Sequence, residues 1–136
     1  LKNILPFLKP GGKIVIADVD DDWLTIYPDS GAFRSFANRA AAGQAKNMGD
    51  RNIGRKFKAY LTEAGFADPK TLVQTVTSDD IGMKNFIDLT TGFKIEQIPV
   101  EQKEEADKEL KEIQKLIQVP SAWAGVGIFL GTATRT

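Results

Sequence analysis

The 136-residue chain contains neither cysteine nor histidine. Without cysteine there is no disulfide framework and no thiolate, and without histidine the common zinc ligand sets and the imidazole base are missing too. An excess of one charge is also absent. Lys plus Arg equals Asp plus Glu at 18 each, so no net field draws the molecule to nucleic acid or to an anionic membrane, and neither is expected as a partner. The opening LKNILPFLKPGG is interrupted by Pro6 and Pro10 and is too short for a signal peptide or a membrane span, so a cytoplasmic location is expected. What remains is a chain sized for one domain with a real core, expected as a single domain over 1–136, whose partners must be recognised locally.

The patterning present is that of alternating helices and strands. Ile4 to Leu8 read as a short helical run, and Pro10, Gly11 and Gly12 suit a tight turn. KIVIADV (13–19) has no polar alternation, which is how a strand covered on both faces reads. Residues 31–46 space Phe33, Phe36, Ala37, Ala40 and Ala41 along one helical stripe, with Arg34, Arg39 and Lys46 pointing away. A second helix runs from Ile53 to Ala64, Gly65 sits where a left-handed cap is needed, and Phe66 is expected to pack back on the last turn. TLVQTVTS (71–78) reads as a strand, 81–93 as a looser helix, and 101–118 as a surface helix with a Glu104–Lys108 pair at four-residue spacing. Pro120 ends that helix, and a glycine-dotted apolar stretch (122–133) closes the chain as a strand. This order predicts an α/β sheet of about three strands, near 13–19, 71–78 and 122–133, with helices packed on it. Three strands are too few neighbours for a first strand covered on both faces, so the chain is expected to be part of a larger domain. It also begins at Leu1, inside a patterned segment.

Two segments carry a family resemblance. LKNILPFLKPGGKIVIADVD resembles the stretch of class I S-adenosylmethionine-dependent methyltransferases where a helix leads through an L-K-P-G-G turn into the fifth strand. NIGRKFKAYLTEAGFAD is similar to the helix of those enzymes that reads G-R-x-[FL] and then A-G-F before the sixth strand. AWAGVGIFLGTATR falls in the place of the seventh, antiparallel strand. The resemblance implies a partial Rossmann-like sheet, the C-terminal part of a methyltransferase that acts on a small-molecule acceptor. The cofactor-binding front half is not represented. In such folds a glycine-rich turn after the first strand and an acid on the second hold the cofactor, and this chain has neither. S-adenosylmethionine is therefore expected to bind the full-length protein and not this chain alone. Gly125, Gly127 and Gly131 lie in a terminal strand with no helix after it and read as structural.

Candidate residues cluster where the first strand ends on acid, the functional edge of an open α/β sheet. One of Asp18, Asp20, Asp21 and Asp22, with Asp18 and Asp20 foremost, would orient or deprotonate an acceptor, Trp23 and Tyr27 would line an apolar or aromatic pocket, and Arg51 or Arg55 would meet an anionic acceptor. Each has a plainer reading: helix capping for the aspartates, packing for Trp23, a solvated first turn for Arg55. Asp18, Asp20 and Asp22 mimic the opening of an EF-hand loop, but Trp23 stands where glycine is needed, so no metal is expected. The alternative to an enzyme is a non-enzymatic binding or assembly module that uses an unpaired strand edge to pair with another chain or with itself as a homo-oligomer.

Overall fold

Pro10, Gly11 and Gly12 turn the chain into its first strand. In the computed structural model, which describes residues 1–136, a 3-10 turn at Leu5–Phe7 precedes them and β1 (Lys13–Val19) follows. Gly11 takes φ +76°, which favours glycine, and a Cβ on Gly12 would stand 2.7 Å from the Lys9 carbonyl oxygen. The turn is tied to the last residues of the chain. The Gly11 N–H donates to the Arg135 carbonyl and the Arg135 N–H to the Gly12 carbonyl, both at 2.8 Å, while the Arg135 guanidinium donates to the carbonyls of Pro6 and Leu8.

The other strands are β2 (Thr25–Tyr27), β3 (Ala67–Thr77) and β4 (Trp123–Thr134). The helices are α1 (Gly31–Lys46), α2 (Phe57–Glu63), α3 (Ser78–Ile81), α4 (Met83–Thr91), α5 (Lys94–Gln97) and α6 (Lys103–Gln114). The fold is α/β, with an open four-stranded antiparallel sheet in which β4 pairs with each of the other three strands. No helix is long and apolar enough to cross a membrane.

Two units make up the chain. The first comprises Leu1–Trp23, Asn52–Thr75 and Gly127–Thr136, and the second Leu24–Arg51 and Val76–Val126. In the first, β1 pairs with β4 from Lys13 opposite Thr134 to Val19 opposite Ile128. The expectation of a strand covered on both faces is corrected here. Ile14 is buried with Leu61, Ala64, Phe66 and Ala133, whereas Val15 is 65% exposed. Antiparallel pairing permits one solvated face, and β1 uses it despite its apolar sequence. Phe66 does fold back on α2, its N–H donating to the Leu61 carbonyl at 3.1 Å. β3 starts at Ala67, earlier than expected, running through Asp68, Pro69 and Lys70, residues that disfavour strands.

In the second unit, Ser30 caps α1 by accepting the Phe33 N–H at 3.1 Å. Phe33, Phe36 and Ala40 of α1 form its core with Ile87, Ile98, Ala106 and Ile113. Arg39 does not point away, as its place on the stripe suggested. Its Nε lies 3.1 and 3.2 Å from the two carboxylate oxygens of Glu109 on α6, a residue that is itself buried. The expected Glu104–Lys108 pair forms at 3.1 Å. β2, a three-residue strand pairing with Trp123 to Gly125, was not anticipated, because three residues are too few to show a period.

Candidate functional site

β1 delivers the chain into a short acidic turn, and an arginine from another segment of the first unit closes it. Residues Asp21–Trp23 form a 3-10 turn, in which the Trp23 N–H donates to the Asp20 carbonyl at 2.9 Å and the Asp22 N–H to Asp20 Oδ1 at 3.2 Å. Arg55 sits in the 3-10 turn Gly54–Lys56 that leads into α2. Its Nε donates to Asp20 Oδ2 and its Nη2 to Asp20 Oδ1, each at 2.5 Å, and Nη2 also reaches Asp22 Oδ2 at 2.7 Å. This is the planar two-pronged geometry that a guanidinium offers a carboxylate.

The Asp20 side chain is fully buried, while Arg55 keeps 44% of its side chain exposed. Hydrogen bonding from Arg55 holds the Asp20 carboxyl below the ordinary carboxylate range; burial opposes this and the Asp22 N–H adds to it. Arg55 is raised above its own ordinary value, first by the Asp20 hydrogen bond and then by Asp22. A buried carboxylate held ionised with both oxygens engaged is not placed to take a proton from an acceptor. Asp20 is a brace for the turn.

The brace presents Trp23. Its half-exposed indole stands edge-on to the buried Phe129 ring, with centroids 5.3 Å apart at 89°. Glycines make the space for it. A Cβ on Gly127 would lie 3.1 Å from Trp23 Cε3 and 3.0 Å from Val73 Cγ1, and one on Gly54 would lie 2.6 Å from Phe129 Cγ. Gly131 likewise lies against Phe57 and Ile16, and Gly125 against the Trp123 ring. The glycine pattern of the last strand is therefore a packing pattern. Of these, Gly54 belongs to the motif GRKF, and its role against Phe129 had no signal in the sequence.

Asp20, Trp23 and Arg55 thus come together. Asp18 is exposed on β1, and its Oδ1 accepts the Val19 N–H at 2.8 Å. Tyr27 and Arg51 belong to the second unit. Tyr27 is exposed on β2 opposite Trp123. Arg51 is only 8% exposed, its guanidinium carbon 4.9 Å from the Phe93 ring centroid, and buried Lys94 places Nζ 5.8 Å from the same ring. Burial of Arg51 against an aromatic face accounts for its place without an anionic ligand. Nothing in the sequence marks Lys94 for burial, since it is a charged residue just past the helical pattern of 81–93. No group of three or more acidic side chains is placed to hold a metal ion. Two surface depressions of about 620 and 240 Å³ lie elsewhere in the first unit, the larger against Val15, Lys70 and Thr132, the smaller against Leu1, Tyr60 and Glu63. Neither includes Asp20, Trp23 or Arg55.

No protein-family model matches the chain, and no curated protein matches it.

Proposed function

We propose that these residues form the substrate-side, C-terminal part of an S-adenosylmethionine-dependent methyltransferase acting on a small-molecule acceptor. The observation that carries the reading is the Asp20–Arg55 pair. It joins, across 35 residues, the two segments that bear the resemblance: the acid-ended strand after the L-K-P-G-G turn and the G-R-K-F motif that opens α2. The antiparallel pairing of the last strand with β1 also supports it, being what the resemblance expects of a seventh strand.

The chain's own residues do not fit the cofactor. Its glycines in β4 are packed against aromatic rings, where a backbone approach by a nucleotide has no room. No step is therefore assigned to a cofactor here. Transfer of a methyl group from a sulfonium is an in-line displacement helped by alignment and by excluding water, so a wall can matter without a nucleophile. Trp23 is the wall in this reading, and Asp20 and Arg55 are positioning residues that hold its turn.

The test is transfer of labelled methyl from S-adenosylmethionine to a panel of small-molecule acceptors by a version extended upstream of Leu1. Transfer that falls in Trp23→Ala while cofactor affinity is kept supports the reading. Absence of transfer to every acceptor, with no cofactor bound, overturns it.

A further inference from the structure

We infer that the acceptor carries an ammonium group, held on the indole face of Trp23 with the carboxylates of Asp18 and Asp22 as its counter-charges. The inference rests on the methyltransferase reading and names the class of acceptor for that same site. All three residues lie in the first unit.

Pairing of β1 with β4 brings Asp18 to the ring that carries Trp23. Asp18 lies opposite Phe129 in the register, and side chains directly opposed in an antiparallel pair leave the same face with Cβ atoms about 4.5–5.5 Å apart. Trp23 stands edge-on to that Phe129 ring at 5.3 Å and keeps 51% of its surface exposed. Asp18 Oδ1 accepts the Val19 N–H, which leaves Oδ2 open. Asp22, the residue before Trp23, is 65% exposed along its side chain and gives only Oδ2 to Arg55. Each of the two carboxylates therefore keeps an oxygen for a ligand.

Charge selects the class. Over residues 18–23 and 54–56 the four carboxylates of Asp18, Asp20, Asp21 and Asp22 stand against the two cations Arg55 and Lys56. Arg55 already divides its Nε and Nη2 between Asp20 and Asp22, so an anion arriving here meets carboxylates in excess. An uncharged ligand would cover Trp23 while stripping water from Asp18 and Asp22 and returning nothing to them, which is costly. A cation gains on both counts. The face of tryptophan is the best side-chain partner for an ammonium, and an N–H donor that carries the charge makes a short, strong bond to a carboxylate. A protonated nitrogen has no lone pair with which to attack a sulfonium, so the ammonium is a handle for binding and the atom that accepts the methyl group is a different one.

The experiment is titration of benzylammonium chloride, with benzyl alcohol and sodium benzoate as controls of matched shape, into the 136-residue chain carrying Trp123→Phe, which leaves Trp23 as its one tryptophan. Trp23 emission is expected to change with a benzylammonium dissociation constant on the order of millimolar, and with values about fivefold higher or more for the controls. Asp18→Asn and Asp22→Asn are each expected to weaken benzylammonium binding about two- to fivefold and to leave benzyl alcohol binding as it was, a split that a merely structural role would not give. Equal binding of the three ligands, or binding of none, overturns the inference. So does benzylammonium binding that neither substitution moves. With the upstream-extended version, methyl transfer confined to acceptors that lack an ammonium group overturns the inference and keeps the methyltransferase reading. Selective benzylammonium binding by the short chain, with neither transfer nor cofactor binding by the extended one, keeps the cation site and overturns that reading.

Discussion

Arg55 grips the buried carboxylate of Asp20 with two nitrogens, each at 2.5 Å, and so fastens the start of α2 to the end of β1. Pairs of this kind cost more to break from one side than to remove altogether, because the surviving partner is left buried and unsatisfied. Arg55→Met is expected to destabilise the protein more than the double variant Arg55→Met with Asp20→Asn does. Asp20→Ala alone is expected to cost about 1–3 kcal/mol. Urea unfolding of the four proteins measures this, and strict additivity would contradict a direct pair.

The pH dependence follows from the direction of the Asp20 shift. Its carboxyl is held below the unfolded value of about 3.9, so the folded state binds that proton less readily than the unfolded one. The stabilisation is fully present above that value and is lost as pH falls below it toward the folded one. As pH falls below about 4, Asp20→Asn is expected to lose less of its own stability than the parent does. Urea midpoints against pH check it, and identical slopes for the two proteins would remove Asp20 from the account.

The glycines against the aromatic rings make a packing prediction. A Cβ on Gly54 would lie 2.6 Å from Phe129 Cγ, so Gly54→Ala is expected to cost about 1–3 kcal/mol through overpacking. Because Phe129 supports Trp23, the substitution should also change Trp23 emission in a Trp123→Phe background. Gly31→Ala, where a Cβ meets nothing within 4 Å, serves as the control and should leave the emission unchanged.

In the second unit, the Arg39–Glu109 pair fastens α1 to α6 beside a core made largely by Phe33, Phe36 and Ile113. Glu109→Ala is expected to cost about 1–3 kcal/mol. Hydrogen exchange should speed first in α1 and α6, while exchange of the β1 amides bonded to β4 stays unchanged.

These relationships show where the sequence could be read. The periodicity of Phe33, Phe36 and Ala40 placed α1 at its observed bounds, and Gly65 with Phe66 marked the end of α2, because both signals are local. The exposure of Val15 was not legible: KIVIADV has the same composition whether its second face is covered or bare, and only the pairing partner decides. Asp20 and Arg55 were each visible as candidates, but their union was not, since nothing local links residues 35 apart. Tyr27 joins them in the sequence as an aromatic a few residues past the acidic turn and Arg51 as a cation suited to an anionic acceptor, and the fold assigns both to the other unit.

The proposal made above is that this chain supplies the acceptor side of a methyltransferase, with the cofactor held by residues other than its own. Calorimetric titration of S-adenosylmethionine and its demethylated product, into the 136-residue chain and into an upstream-extended version, tests it most directly. The account predicts no binding heat with the short chain and saturable binding with the extended one. Binding by neither, or equal binding by both, would contradict it.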